Sequence, residues 1–341
     1  MDTPPSLSLG LQGGGAHGAF QWGVLDRLLE DGRFDIRAIT ATSAGAMNGA
    51  AFITGFEAGG RDGAREALDR LWHEVNRSGG RNMFGNSAIW SGALGQSWLK
   101  ANPLWRSFET LALSMSPYEF NPFNLNPMRR VLDASIDFEA VRASSIRFYV
   151  GATSVRHGKP HIFKGESLSA EMLLASACLP HVFQAVEVDG EPYWDGGYLA
   201  NPPLWPLFYE DTPHDLLLVT LNPFRRDETP KSAGEIVDRL NEISFNAPLS
   251  AELRAVAFVQ KLIDEGLLTR SGRHRYRRIR IHAIGADGWL DGYSLSSKFN
   301  TERSFLHKLK EKGREAAAHW LETCAEAVGE RSSVDLKARF L

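Results

Sequence analysis

The sequence predicts an α/β fold built on a mainly parallel central sheet. Two strand–turn–helix patterns follow one another within roughly the first 55 residues, and this alternation is typical of parallel sheets. Residues 215–221 (DLLLVTL) form an uninterrupted apolar run, as expected for a central strand that is buried on both faces. With 43% hydrophobic residues in a chain of 341, the composition is that of an ordinary globular protein.

The first two units contain the most distinctive segments of the chain. Residues 6–12 read as a short buried strand, and residues 18–31 as a helix with one apolar face. Residues 38–45 (AITATSAG) read as a second strand that ends in a sharp turn, followed by a helix of small residues. A third helical pattern covers residues 64–76.

The rest of the chain continues the same alternation after an irregular stretch. Residues 80–127 carry many aromatic side chains among Gly, Ser, Asn and Pro, which predicts an aromatic-rich helical insertion over the core. Further strands are expected at 147–155, 161–165, 215–221 and 278–284, a strand–turn–strand unit at 184–203, and helices at 169–178, 235–265 and 301–328. The sequence shows no internal repeat and no evident linker. We therefore expect a catalytic core over 6–225 and a C-terminal extension over 226–341 that packs on it.

Composition argues against several classes of protein. A net charge of -3 disfavours a nucleic-acid-binding domain, which usually has a strongly basic face. Cys178 and Cys324 lie far apart, which disfavours a zinc site or a disulfide framework and fits a reducing compartment. No apolar run reaches the ~18 residues of a spanning helix, and the N-terminus lacks the features of a signal peptide. A cytoplasmic protein is therefore expected.

Five glycines occur in the ten residues LGLQGGGAHG, between the first strand and the first helix. Backbone N–H groups in such a turn converge on an anion. Gly13, Gly15 and Gly18 fit the dinucleotide-binding pattern G-x-G-x-x-G, with Asp31 or Asp35 near the place of its ribose-binding acid. That hypothesis is disfavoured because the second strand ends in a serine turn, and no cofactor is expected.

Two further motifs suggest nucleophilic chemistry. Ser43 in ATSAG lies close to the G-x-S-x-G nucleophile elbow, in which small neighbours let a serine hydroxyl protrude from a strand-to-helix turn. The structural alternative is a serine that simply caps a helix. Asp195 in WDGGY follows an apparent strand and precedes the loop LANPP, although Asp-Gly-Gly also occurs in hairpin turns.

Taken together, the glycine turn, the serine elbow and the downstream D-G-G resemble the patatin-like family of lipid acyl hydrolases over about residues 7–225. The resemblance implies a three-layer α/β/α fold and a Ser–Asp dyad without histidine. It assigns Ser43 as nucleophile, Asp195 as general base, and the N–H groups of Gly13, Gly14 and Gly15 as the oxyanion hole. Neither a metal nor a cofactor is implied.

The resemblance also implies substrate contacts at His17 and Ala44. The family usually has Arg or Lys where His17 stands. A fixed positive charge is therefore missing from the glycine-rich turn over residues 13–18, which we call the glycine loop. This departure leaves recognition of a phosphate headgroup open without affecting ester hydrolysis. Ala41 replaces the first glycine of the elbow, which a negative φ would tolerate.

Two other functions remain as alternatives. A Ser-Asp-His α/β-hydrolase would need a histidine after Asp195, and the candidates are His214, His274, His282, His307 and His319. In that fold, however, the elbow normally follows several strands rather than standing at the second. A non-catalytic lipid- or protein-binding scaffold is the second alternative, although nothing that the dyad needs is missing.

The expected substrate is a carboxylic ester of a lipid, or another acyl ester. The aromatic insertion is expected to cover the acyl chain, with ordinary core packing as the alternative. Six arginines between Arg270 and Arg280 either bind an anionic membrane surface peripherally or pair with acidic helices, and the acidic net charge favours pairing. The sequence does not indicate an oligomeric state.

Overall fold

The chain folds around one mixed sheet with helices on both sides. The structure is a computed structural model, and it describes residues 4–79, 116–268, 276–290 and 292–340. Within these ranges eight strands form a single sheet in the order β5-β6-β3-β2-β1-β7-β8, with β4 pairing to β3. The strands are β1 Ser6–Leu11, β2 Asp35–Thr42, β3 Arg147–Ser154, β4 Lys159–Lys164, β5 Val186–Val188, β6 Glu191–Asp195, β7 Asp215–Thr220 and β8 Arg280–Gly285.

The centre of the sheet is parallel and its β5–β6 end is antiparallel. Strand β1 pairs in parallel with β2 and β7, β2 with β3, and β7 with β8. Strands β4 and β6 pair antiparallel to β3, and β5 antiparallel to β6. The predicted α/β fold with a mainly parallel central sheet is thereby confirmed.

Helices cover both faces of this sheet. The described helices are α1 Gly18–Asp31, α2 Ala44–Gly79, α3 Pro117–Phe120, α4 Met128–Ser135, α5 Phe138–Ala143, α6 Ala170–Ser176, α7 Trp205–Tyr209, α8 Ala233–Asp264, α9 Arg303–Thr323 and α10 Leu336–Phe340. Alternate side chains of β7 enter different clusters: Leu217 packs with residues of α1, α2 and α9, while Leu216 packs with residues of α7, α8 and α10. Because successive side chains of a strand point to opposite faces, the sheet lies between two helical layers.

Helix α2 consists of two helical segments separated by a kink. Between Ala44 and Gly79 the backbone leaves helical geometry at Gly59 and Gly60, and Gly60 has a φ of 62°. The sequence predicts a helix of small residues after Ser43 and a separate helix over 64–76, and these two helical patterns correspond to the segments on either side of the kink.

The C-terminal part of the chain packs directly against the first helix. At the crossing of α1 and α9, a Cβ added to Gly23 would overlap the carbonyl oxygen of Lys310, and one added to Gly313 would overlap that of Phe20. Such backbone-to-backbone approach is open only to glycine. Strand β8 extends the sheet beyond β7, where the sequence predicts a strand over residues 278–284.

Candidate active site

Ser43 occupies the turn between the carboxyl end of β2 and the start of α2. Its φ is 54°, in the left-handed region that non-glycine residues seldom adopt, and this conformation is typical of a nucleophile elbow. The Ser43 N–H donates to the hydroxyl of Ser176 at 2.8 Å, and that hydroxyl donates to the Gly151 carbonyl at 2.7 Å. A second serine, on α6, therefore holds the elbow in place.

Asp195 is the last residue of β6 and lies beside β3. Its backbone N–H donates to the Cys178 carbonyl at 2.8 Å, and its carbonyl accepts the Thr153 hydroxyl at 2.9 Å. The carboxylate caps the short 3₁₀ turn that follows, because Oδ1 accepts the N–H of Gly197 at 2.7 Å. The Asp-Gly-Gly motif thus ends a strand and fixes the direction of the aspartate side chain.

The two side chains meet in a buried environment. The hydroxyl of Ser43 lies close enough to the carboxylate of Asp195 to lower the pKa of that group, and the residues are 7% and 1% exposed. Burial raises the pKa of Asp195 to about 6, while the hydrogen bond from Gly197, the nearby Ser43 hydroxyl and the positive charge of Lys298 lower it. The result is a carboxylate of raised basicity in contact with a serine hydroxyl, which is the requirement for proton transfer between them.

The glycine loop passes directly over Ser43. A Cβ added to Gly13 would lie 2.9 Å from the Cβ of Ser43, so the closeness of loop and elbow depends on glycine. The N–H of Gly13 donates to Asn201 Oδ1 at 2.7 Å. In the described part of the chain, the N–H groups of Gly14 and Gly15 have no such acceptor. Of the three predicted oxyanion donors, these two are therefore the ones available to a ligand.

His17 and Ala44, the two predicted substrate contacts, lie in different surroundings. His17 is 4% exposed and hydrogen-bonds through Nε2 to the Ser297 hydroxyl at 2.7 Å. Burial lowers the pKa of His17 to about 3, with a further contribution from Lys298, so the ring is neutral at pH 7. Ala44 is the first residue of α2, is 6% exposed and packs against Gly18.

The histidines considered for a triad lie elsewhere. His282 is on β8, where Nε2 contacts Asp215 Oδ1 at 3.0 Å and Nδ1 contacts the Ser333 hydroxyl at 3.0 Å. His307 packs edge-on against Trp22, His214 immediately precedes β7, His319 is exposed on α9, and His274 lies outside the described residues. Among the described residues, no histidine hydrogen-bonds to Ser43 or Asp195.

Sequence reasoning missed four polar residues around the site: Ser176, Asn201, Asn222 and Lys298. Asn222 donates to the Gly13 carbonyl at 3.3 Å and accepts a hydrogen bond from the Lys298 ammonium at 2.7 Å. Asn201 lies in LANPP, after the D-G-G motif. Its side chain contacts Gly13, just after the first strand, and no local sequence pattern predicts this contact. Of these four residues, only Ser176 lies in a segment that the sequence analysis singles out, the predicted helix of small residues over 169–178.

The two surface features predicted from the sequence are described only in part. Residues 80–115 of the insertion lie outside the described residues, while Tyr118 and Phe123 are 59% and 83% exposed. In the basic cluster, Arg278 pairs with Asp264 and Arg280 with Asp215, and the Arg277 side chain donates to carbonyl groups of residues 207–212. The described part of this cluster therefore forms internal contacts.

Across residues 4–79, 116–268, 276–290 and 292–340, His, Cys, Asp and Glu nowhere gather into a group that could hold a metal ion. Across the same ranges, none of the helices is long and apolar enough to cross a membrane.

An α/β fold with a serine at a strand-to-helix turn is an arrangement that occurs in one class of hydrolytic enzymes. A family model described as patatin-like phospholipase matches residues 9–208, so the chain belongs to this family. Membership supports lipid acyl hydrolysis as the general activity.

Solved structures of bacterial proteins show a remote likeness. VipD from Legionella pneumophila is 14% identical with a TM-score of 0.41, and the match covers 94% of this chain and 67% of VipD. ExoU in its complex with SpcU, from the type III secretion system of Pseudomonas aeruginosa, is 18% identical with a TM-score of 0.40. The match covers 94% of this chain and 52% of ExoU, so the chain spans about half of that protein. A search of curated protein sequences gives no significant match.

Proposed function

We propose that this protein is a serine lipid acyl hydrolase that cleaves carboxylic esters through an acyl-enzyme on Ser43, with Asp195 as the general base. The observation that carries the proposal is the proximity of the Ser43 hydroxyl, at a strand-to-helix turn, to a buried carboxylate whose pKa burial raises to about 6. A serine hydroxyl becomes an effective nucleophile only when a base within hydrogen-bond reach removes its proton.

The reaction follows from these positions. Ser43 Oγ attacks the ester carbonyl carbon as its proton passes to Asp195, and the carbonyl oxygen becomes an oxyanion. The protonated Asp195 then gives its proton to the leaving alcohol, which departs and leaves an acyl group on Ser43. Water then attacks the acyl carbonyl carbon as Asp195 again accepts a proton. When the bond between the acyl group and Ser43 Oγ breaks, Asp195 returns this proton to Ser43 Oγ and the carboxylic acid is released.

The oxyanion requires donors that are in place before the reaction. The glycine loop meets this requirement, since the N–H groups of Gly14 and Gly15 are available and Gly13 is held by Asn201. Loss of one such donor typically costs ~10²–10³ in rate. The N–H of Ala44 directly follows the nucleophile at the start of α2, where helix dipole and free amides favour negative charge.

We further propose that the substrate is a lipid ester or another acyl ester reached by peripheral contact with a lipid surface. The exposed side chains of Tyr118 and Phe123 supply apolar surface for this contact. A Ser–Asp dyad is favoured over a Ser-Asp-His triad because, among the described residues, neither partner hydrogen-bonds to a histidine.

A panel of lipids tests the proposal. Phospholipids, lysophospholipids, triacylglycerols and soluble short-chain esters are incubated with wild type and Ser43→Ala, and released carboxylic acid is measured. Wild type is expected to hydrolyse at least one ester class, and Ser43→Ala to lose at least about 10³-fold of that rate. Faster turnover of vesicles than of soluble esters would support peripheral contact. Wild type that releases no acid from any ester would contradict the proposed activity.

A further inference from the structure

Residues 294–300, which we call the C-terminal turn, pack against the glycine loop at two points. A Cβ added to Gly15 would lie 2.5 Å from the Lys298 carbonyl oxygen, so the two backbones are in direct contact. The Ser297 hydroxyl also hydrogen-bonds to His17 at 2.7 Å. The C-terminal turn contains the 3₁₀ segment Leu295–Phe299 and lies beyond residues 9–208, the part of the chain that the family model matches.

A third connection runs through the Lys298 side chain. The ammonium group donates to Asn222 Oδ1 at 2.7 Å and to Asn241 Oδ1 at 2.9 Å. The Asn222 amide in turn donates to the Gly13 carbonyl at 3.3 Å, while the Gly13 N–H is held by Asn201. The peptide groups on both sides of Gly13, next to Ser43, are thus fixed by side chains from distant parts of the chain.

The Lys298 ammonium is a buried cation with neutral partners. It is enclosed by protein although the residue as a whole keeps part of its surface in solvent. Within the described ranges no carboxylate oxygen lies within 4.0 Å of it, and both hydrogen-bond acceptors are amide oxygens. The ammonium also lies over the Phe245 ring, 5.2 Å from the ring centroid. A buried charge with only neutral partners is costly, so this lysine also calls for negative charge at longer range.

Three carboxylates and one histidine face Lys298. Glu242 of α8 makes the largest favourable charge contribution, followed by Asp195 of β6 and Asp238 of α8. Glu242 also pairs with Arg226 and Arg239, Asp238 accepts the Leu295 N–H at 2.9 Å, and His17 of the glycine loop is neutral. Asp195 is the one of these carboxylates that lies next to Ser43, and its charge and that of Lys298 stabilise each other.

We propose that Lys298 is a positioning residue of the ester-hydrolysis site, which orients the glycine loop through Asn222 and supplies the buried positive charge that favours the anionic states of the site. This inference rests on the proposed function of Ser43 and Asp195. The anionic states are the Asp195 carboxylate before the attack and the oxyanion after it. The C-terminal turn is accordingly a part of the active site.

The pH profile reports on this role. Activity requires ionised Asp195, so kcat/KM rises with pH through the Asp195 pKa of about 6. Burial lowers the pKa of Lys298 to about 8, opposed by the charges of Glu242, Asp195 and Asp238. As pH rises through this value the cation is lost, so kcat/KM falls again and the wild-type profile is bell-shaped.

The test uses Lys298→Met and Lys298→Gln in the full chain, with a soluble ester that wild type hydrolyses. Lys298→Met is expected to lower kcat about 10–100-fold with little change in KM, to abolish the alkaline limb and to move the acid limb upward. Lys298→Gln keeps a donor for Asn222 and is expected to recover part of kcat, yet not the alkaline limb. Lys310→Met on α9, whose ammonium lies over the Trp22 ring, is the control and should keep both limbs.

The outcomes separate this inference from the function on which it rests. A folded Lys298→Met variant that keeps both limbs, and kcat within about twofold of wild type, would overturn the positioning role while leaving the hydrolase intact. If Lys298→Met does not fold, Lys298→Gln is measured in its place. An alkaline limb that persists in Lys298→Gln would then overturn the positioning role. Wild type without any ester hydrolysis would contradict the proposed function, and this inference with it.

Discussion

Ser43 combines a strained backbone with close support from its neighbours. A non-glycine residue at a φ of 54° costs of the order of 1–3 kcal/mol, and persists only where the surroundings determine it. Here the Ser43 N–H is held by Ser176, and its carbonyl accepts the N–H of Met47 in the first turn of α2 at 3.1 Å. A serine whose side chain points away from both its strand and its helix requires such a backbone conformation, and neighbours that hold it.

The acid side of the activity profile follows from Asp195. Its raised pKa means that the carboxylate is protonated, and unable to accept the Ser43 proton, below a pH of about 6. We expect kcat/KM for a soluble ester to fall about tenfold for each pH unit below that value. Initial rates between pH 4 and 8 measure this limb, and a rate independent of pH from 4 to 6 would exclude Asp195 as the base.

At the scale of elements, the site forms where the parallel strands β1 and β2 end side by side. Leu11 of β1 pairs with Ala41 of β2, so the glycine loop and the Ser43 turn both follow the carboxyl ends of these strands, at the same edge of the sheet. Asp195 reaches this edge because β6 pairs antiparallel to β3 and ends opposite Ala152. The contact between α1 and α9 then brings the C-terminal part of the chain against the helix that follows the glycine loop.

That helix contact gives a prediction about stability. Gly313→Ala places a methyl group where the Phe20 carbonyl oxygen lies, so α1 and α9 must separate. We expect the free energy of unfolding to fall by about 1–3 kcal/mol, as is usual for overpacking. Gly234→Ala on α8, where an added Cβ meets nothing within 4 Å, is the matched control and should be neutral or slightly stabilising. Denaturant unfolding that gives equal values for both variants would contradict the described packing.

At the scale of the whole molecule, a buried ionic cluster joins the last two strands of the sheet to the C-terminal residues. Asp215 of β7 accepts two hydrogen bonds from Arg280, at 2.8 and 2.6 Å, one from His282 at 3.0 Å, and one from the Gly329 N–H at 3.0 Å. Although burial opposes ionisation, the hydrogen bonds from Arg280 and His282 hold the pKa of this carboxyl group well below its usual range. The partner of His282 is therefore Asp215 and not Ser43 or Asp195.

Removing this carboxylate should destabilise the protein. Asp215→Asn leaves Arg280, whose side chain is 23% exposed, without its main counter-ion. Because a fully buried pair typically costs about 3–5 kcal/mol to break and Arg280 is partly solvated, we expect a loss of about 1–3 kcal/mol. Because the folded-state pKa is depressed, the stabilisation is fully present above the unfolded pKa of ~3.9 and is lost progressively as pH falls from there through the lower folded-state pKa. Unfolding measured at pH 7 and at pH 3 should show a smaller difference between variant and wild type at pH 3. Asp264→Asn, from the exposed pair with Arg278, should cost less than about 1 kcal/mol.

The sequence predicts much of this molecule because its strongest signals are local. Ser43 and Asp195 each stand in a short motif beside a strand, and the parallel order of the central strands follows from the strand–helix alternation. Asn201 and Asn222 contact Gly13 across 188 and 209 residues, so no local spacing reveals them. Lys298 is likewise indistinguishable in sequence from a surface lysine, since its burial results from tertiary packing alone.

The most direct test of the account is covalent labelling of the nucleophile. The full chain is treated with a fluorophosphonate, which reacts with activated serines, and the site of the adduct is located by peptide mass spectrometry. We expect a single adduct on Ser43, a much slower reaction in Asp195→Asn, and no adduct in Ser43→Ala. An adduct on another serine such as Ser333, or ester hydrolysis that survives in Ser43→Ala, would contradict the account.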